Sequence, residues 1–270
     1  MKTRPKARGH PFLELFASSL QEDYRLPVLE LFAFLYVLGT FALAGMFFGT
    51  PSVSEQQACW FVTSVMGLPL SVFGLLIFKN IAFGLGNDLD KGILQTVFSY
   101  PLKRRAILTA KLLSAIGAAL LLLLVIQLFA WIVLAPSVLL SFPLTVILTV
   151  VAGLCYPLLL AGAILFVTLL VKKGSLALVL GILLSFASSI LQSIAQVVSW
   201  MSRSALPLQM LSVFNPAVAV QYHYRILSLF GGTMWELSLA ETLAYVGAGY
   251  SLIAVGFFLS YYFFCKRLNL

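Results

Sequence analysis

Long apolar runs separated by shorter polar segments dominate this chain. Each run holds about 20 residues or more, enough at 1.5 Å per residue for a helix to cross a hydrocarbon core of about 30 Å. The pattern therefore predicts an all-α, polytopic membrane protein whose residues 27–270 form a six-span transmembrane domain. The six candidate spans are approximately Pro27–Phe48, Cys59–Phe78, Ala106–Leu134, Leu144–Val171, Leu176–Trp200 and Thr242–Cys265.

A different pattern precedes the first span. Phe12, Phe16 and Leu20 recur every four residues, which predicts an amphipathic interfacial helix from about Pro11 to Arg25. Residues 1–26 are thus interpreted as a basic tail followed by this helix, with a disordered basic tail as the alternative. The polar side of the predicted helix comprises Glu14, Ser18, Gln21, Glu22 and Arg25.

The basic residues predict the orientation of the spans. If the N-terminus is cytoplasmic, all of the 17 Lys and Arg residues except Arg203 and Arg225 fall on the cytoplasmic side. This asymmetry follows the positive-inside rule and, with six spans, places both termini in the cytoplasm. The net charge of +8 does not indicate nucleic-acid binding, because the bases flank apolar runs instead of forming a basic domain. We expect a multi-pass protein of the inner or cytoplasmic cell membrane, in contact with lipid.

The composition argues against catalysis in this chain. Hydrophobic residues make up 61% of the sequence and charged residues 10%, and none of the nine acidic residues lies in the middle of a predicted span. No metal-ligand spacing, serine-nucleophile elbow or phosphate-binding Gly-rich loop with Gly-Lys-Ser/Thr occurs in the sequence. We therefore expect no enzyme active site, metal site or bound cofactor. A stand-alone carrier or channel for an amphipathic solute stays open as an alternative.

A charged segment between the second and third spans, at about residues 83–105, stands out in this apolar chain. The second span is predicted to end at Gly84–Gly86, and either Asn87 or Asp88 can cap a new short helix after it. Asp88 and Asp90 then lie near the N-terminus of this helix, where the helix dipole favours acidic side chains. Pro101 is predicted to stop that helix, and a basic cluster then begins the third span. The apolar stripe of the short helix comprises Leu89, Ile93, Leu94, Val97 and Phe98.

This segment resembles the loop between spans two and three of ABC-2 type transporter permeases. The resemblance rests on Asp88-x-Asp90-x-Gly92-Ile93-Leu94, then Tyr100-Pro101-Leu102-x-Arg104, then Lys111-Leu112-Leu113. The family pattern is acid-x-acid-x-Gly-Thr-Leu, Pro-x-Ser-Arg and a Gly-Lys that opens the next span. Here aspartates replace the usual glutamates, and Ile93, Lys103 and Ala110 replace Thr, Ser and Gly.

The resemblance implies a permease subunit of an ATP-binding-cassette exporter. Such a subunit pairs with a second permease copy, as a homodimer or heterodimer, and with a separate ATPase that binds ATP and Mg. The loop then forms the coupling helix that docks on the ATPase. For Lys103, Arg104 and Arg105, anchoring of the third span is an equal alternative. The implied coupling residues are Asp88, Asp90, Gly92, Pro101, Arg104, Arg105 and Lys111.

The outer segment, at about residues 201–241, is too apolar for a solvated loop. Asn215 and Pro216 suit the start of a short helix that would end near Gly231–Gly232. The segment resembles the short re-entrant or lid-like helices of related permeases, which implies an exit gate. Interfacial aromatic anchoring is the favoured alternative for the gate residues. These residues are Tyr222, His223, Tyr224 and Arg225.

Overall fold

The computed structural model describes residues 11–25, 27–44, 54–98, 102–226 and 235–267. Across these residues the structure is 90% helical and contains no strand. The predicted all-α class is therefore confirmed. The basic tail at residues 1–10, Pro101 and Gly231–Gly232 lie outside the described residues.

Among the described residues, five helices are long and apolar enough to cross a membrane, which makes the chain a polytopic membrane protein. Two of them begin with capping boxes, in which Ser54 pairs with Gln57 and Ser238 pairs with Glu241. Four of them match the predicted third to sixth spans to within a few residues at each end. The five are α3 (Glu55–Asp90), α5 (Arg104–Leu134), α7 (Pro143–Val171), α8 (Gly174–Ser202) and α11 (Leu239–Lys266). The remaining helices are α1 (Pro11–Asp23), α2 (Val28–Ala44), α4 (Ile93–Phe98), α6 (Pro136–Ser141), α9 (Leu206–Phe214) and α10 (Pro216–His223).

The N-terminal pair is shorter than the other candidate spans. Helix α2 has 17 residues, and it meets α1 at a bend of 67°. The predicted total of six spans is therefore reached only if this bent pair is counted as one crossing. The predicted amphipathic helix is present as α1, and all the residues assigned to its polar side are exposed.

The prediction for the end of the second span was wrong. The helix does not stop at Gly84–Gly86, and Asn87 does not cap a new helix, because Asn87 has helical dihedrals of φ −69° and ψ −35°. The chain instead passes through a π-helical turn at Asn80–Gly86 and continues as α3 to Asp90. The direction changes at Gly92, whose φ of 69° is open to glycine and strained for other residues.

Helix α7 lies at the centre of the bundle and packs against α3, α8, α10 and α11. Its neighbours cover both of its faces, and it continues as a helix through Pro157. Helix α8 is much less covered, since only 17% of its most apolar window is buried within the chain. Its exposed leucine, isoleucine and phenylalanine side chains suit contact with lipid or with another protein in the membrane.

The outer segment folds back into the bundle. A Cβ atom placed on Gly249 would lie 2.8 Å from Pro216 Cγ and 2.6 Å from Cys155 Sγ, so these three residues meet. Cys155 and Gly249 lie 12 and 10 residues from the starts of α7 and α11, which corresponds to about 15 to 18 Å at 1.5 Å per residue. The turn between α9 and α10 thus reaches about halfway along the neighbouring spans. This is the geometry of a re-entrant hairpin.

Candidate functional site

Two of the sequence-predicted coupling residues form a buried ion pair. Lys111 Nζ of α5 lies 2.5 Å from Asp88 Oδ2 of α3, and the two side chains are 10% and 7% exposed. The same ammonium group donates a hydrogen bond of 3.1 Å to the carbonyl oxygen of Gly84. The pair therefore holds the ends of two spans together at the charged segment. Asp88 and Lys111 face each other, so any effect of theirs on a partner would be indirect.

A second buried acid lies beside this pair. Asp23, at the end of α1, is 5% exposed and accepts a hydrogen bond of 2.5 Å from Ser114 Oγ of α5. Lys79 of α3 donates to the backbone carbonyl of Asp23 over 2.6 Å and to Asn80 Oδ1 over 3.0 Å. Helix α1 is thus joined to both spans that carry the charged segment. The sequence pattern predicts an interfacial helix around Asp23 and indicates no role for this residue.

Burial gives Asp23 an unusual acidity. Desolvation raises the pKa of its carboxyl from 3.8 to about 6, although the hydrogen bond from Ser114 and the charges of Lys79 and Lys111 partly oppose this increase. The carboxyl therefore changes charge close to neutral pH. A helical stripe that includes Phe12, Phe16, Ser19 and Asp23 could have shown that this acid faces the bundle.

The π-helical turns lie where these polar groups meet. One occupies Asn80–Gly86 in α3 and the other Leu113–Ala118 in α5. The first of them also packs tightly on α8, because a Cβ atom on Gly86 would lie 2.6 Å from Gly174 Cα. π-Helical turns are rare and occur frequently at functional sites. Nothing in the sequence analysis indicated them.

Other coupling residues lie on the surface beside this cluster. Asp90, Arg104 and Arg105 are exposed. Gly92 forms the turn between α3 and α4, and the Arg104 guanidinium stacks 4.8 Å from the centre of the Phe98 ring. The charged segment therefore has a buried side that ties helices together and a solvent-facing side that can meet a partner.

A cavity of about 480 Å³ lies among α3, α7, α8 and α10. It is near the middle of the spans, and the re-entrant hairpin contributes Asn215 and Gln221 to its wall. Asn215 does not cap α10 with its side chain but donates to Gln192 Oε1 of α8 over 3.2 Å. This cavity was not predicted from the sequence, although Ser185, Ser189 and Gln192 recur at helical spacing along α8.

The structure gives the four residues proposed as an outer gate different surroundings. Tyr224 is buried against the core, whereas Tyr222 stacks on Trp235 with ring centres 5.5 Å apart. His223 Nδ1 lies 2.8 Å from the carbonyl oxygen of Leu237, so this nitrogen carries the proton and donates. Arg225 pairs with Glu236 at 3.4 Å. Three of the four residues thus surround the segment from Trp235 to Ser238.

Comparison with known proteins adds no assignment, because neither a protein-family model nor a curated protein matches this chain.

Proposed function

We propose that this chain is the permease subunit of an ATP-binding-cassette exporter. It would form the substrate pathway with a second permease copy and couple it to a separate ATPase, which binds ATP and Mg. In this proposal α1 lies at the interface, α2 supplies the first of six spans, and both termini are cytoplasmic. The resemblance of the segment around Asp88–Lys111 to ABC-2 permeases is the starting point.

One structural observation carries the proposal. Asp90, Arg104 and Arg105 are exposed in a chain with few charges, and the segment that bears them is fixed to α3 and α5 by the Asp88–Lys111 ion pair. A motor protein can move transmembrane helices only through a docked element that transmits force without yielding. The buried pair supplies that rigidity, and the exposed charges supply a surface for docking.

Copurification with an ATPase tests the proposal. The tagged chain is extracted gently from native membranes, and ATPase activity and subunits are measured in the eluate. We expect an ATPase to copurify, and we expect Asp90→Ala with Arg104→Ala to reduce its recovery at least tenfold without changing the thermal stability of the chain. Thr109→Ala, in an exposed residue of the same helix, is the matched control. Absence of any ATPase, or equal recovery with both variants, contradicts the proposal.

The cavity favours a second candidate function. Its described walls come from one chain, so a stand-alone carrier for an amphipathic solute needs no second copy. Reconstitution of the purified chain in vesicles separates the candidates. Transport without ATPase or ATP supports the carrier, whereas transport only with the ATPase and ATP supports the permease subunit.

A further inference from the structure

The central cavity has a neutral lining. The residues that line it include no Asp, Glu, Lys, Arg or His within the described part of the chain. A charged ligand group would therefore lose its hydration without gaining a counter-charge, which is costly at this depth. The cavity volume of about 480 Å³ lies within the range of small-molecule sites.

Three hydroxyl groups in the wall already donate their protons to backbone carbonyl oxygens. Ser71 donates to the carbonyl oxygen of Gly67 over 3.1 Å, and Ser189 donates to that of Ser185 over 3.0 Å. Thr149 donates to the carbonyl oxygen of Thr145 over 2.7 Å. Each of these hydroxyl oxygens keeps lone pairs that can accept a hydrogen bond. The wall therefore offers acceptors to a ligand that carries donors.

The amide pair at the re-entrant hairpin adds a further polar position. Asn215 Nδ2 donates to Gln192 Oε1, and this bond leaves Gln192 Nε2 and Asn215 Oδ1 without another partner among the described residues. One amide can donate and the other can accept, as a hydroxyl group requires. The broken helix at Asn215 brings this pair to the cavity, and broken helices at this depth mark binding sites in other transporters.

Apolar side chains make up most of the remaining wall. Leu70, Phe78, Leu160 and Phe186 line the cavity together with Met66, and they suit a hydrocarbon or ring body. An apolar wall with a few placed polar groups is the usual composition of a small-molecule site.

We propose that this cavity binds an uncharged amphipathic molecule with an apolar body and hydroxyl groups. This inference deepens the proposed transport function, because the bound molecule would be the transported substrate. The hydroxyl groups would donate to the Ser and Thr oxygens and exchange hydrogen bonds with the Gln192–Asn215 pair. Anionic and cationic amphiphiles of the same size would be rejected.

Binding can be measured on the chain alone. The full chain is placed in phosphatidylcholine nanodiscs, and a monoacylglycerol with a photoreactive acyl chain is cross-linked to it. The competitors share one acyl chain and differ only in the head group: a glycerol monoester, a fatty-acid anion, an alkyltrimethylammonium and a methyl ester. We expect saturable cross-linking to α3, α7, α8 or α10. The fatty-acid anion and the cation should compete at least tenfold less well than the glycerol monoester.

Gly67 provides a blocking variant. It lines the cavity, and a Cβ atom added there would meet nothing within 4 Å, so Gly67→Phe can fill the cavity without a backbone clash. Gly247 of α11 has equally open surroundings but is not among the cavity residues, which makes Gly247→Phe the matched control. We expect Gly67→Phe to lose at least nine tenths of the cross-linking and Gly247→Phe to keep it.

A second variant tests the polar pair without filling the cavity. In Gln192→Leu, the concentrations of the glycerol monoester and of the methyl ester that halve the cross-linking should differ by no more than about threefold. Cross-linking that survives Gly67→Phe, or equal competition by the charged amphiphiles, overturns the inference. These measurements need no ATPase. If the chain binds the ligand but recruits no ATPase, only the proposed coupling is refuted. If it recruits an ATPase but binds no ligand, only this inference is refuted.

Discussion

Lys111 Nζ and Asp88 Oδ2 lie 2.5 Å apart in the structure, although the two residues are 23 positions apart in the sequence. Both side chains are buried, and Lys111 also donates to the carbonyl oxygen of Gly84. A lone charge at this position would keep its desolvation cost and lose its partner. The ion pair thus joins the last turn of α3 to the first turns of α5.

Substitution of one partner should be more damaging than substitution of both. We expect Asp88→Ala to lower the free energy of unfolding by about 3–5 kcal/mol, because it leaves the Lys111 ammonium buried and unpaired. The double variant Asp88→Ala with Lys111→Met should recover a large part of this loss. Denaturant titration of the chain in mixed micelles measures both values. Additive losses in the double variant would show that the two residues are not coupled.

The charge of Asp23 should make stability depend on pH. Its pKa is raised from 3.8 to about 6 by burial, so between these values the folded state binds more protons than the unfolded state. The contribution of this carboxyl to the free energy of unfolding is therefore fully present below pH about 4 and is lost as the pH rises through about 6. The contribution lost over this range is about 3 kcal/mol. Comparison of Asp23→Asn with the natural chain from pH 4 to 8 isolates this effect.

Asp23→Asn should flatten the pH profile and be the more stable form above pH 6. The groups that act on this carboxyl are Ser114, Lys79, Lys111 and Glu22, so Glu14→Gln in an exposed part of α1 serves as the control. Parallel profiles for Asp23→Asn and the natural chain would contradict the assignment of this titration.

Sequence reasoning predicted the helices far better than the contacts between them. Apolar runs must reach a minimum length to cross lipid, so the third to sixth spans could be located within a few residues. The ion pair of Asp88 and Lys111 could not be predicted, because both residues were read as partner-facing, and their pairing depends on how α3 and α5 pack. The π-helical turn at Asn80–Gly86 is equally a product of packing. Because of this turn the helix continues through Asn87, where a helix cap was expected.

The cavity could be predicted only in part. Gln192 lies inside the predicted fifth span, and its spacing from Ser185 and Ser189 places all three on one face of a helix. Its partner Asn215 lies in the outer segment, which was interpreted as a short re-entrant or lid-like helix. Only the fold shows that this segment reaches the depth of Cys155 and Gly249, which turns a polar stripe into a cavity wall.

The contact between α3 and α8 should tolerate no side chain at Gly86. A Cβ atom there would lie 2.6 Å from Gly174 Cα and 2.9 Å from Gly174 N, and backbone atoms cannot move aside cheaply. We expect Gly86→Ala to lower the free energy of unfolding by about 1–3 kcal/mol in the micelle titration. Gly256→Ala in α11 is the control, because a Cβ atom there meets nothing within 4 Å and alanine favours the helix. Equal changes in the free energy of unfolding for the two substitutions would show that helix propensity, and not the close contact with Gly174, determines the effect of alanine at Gly86.

The turn at Gly92 sets the direction in which α4 leaves the bundle. With φ of 69° the backbone lies in the left-handed region, so Gly92→Ala should cost about 1–2 kcal/mol. Gly92→Asn should cost less, since asparagine enters this region more readily than alanine does. The same micelle titration ranks the three forms. If alanine and asparagine are tolerated equally, the turn can adopt another conformation and does not fix α4. If the loss follows the expected order, the exposed charges of Asp90 and Arg104 are held on either side of a turn whose geometry glycine specifies.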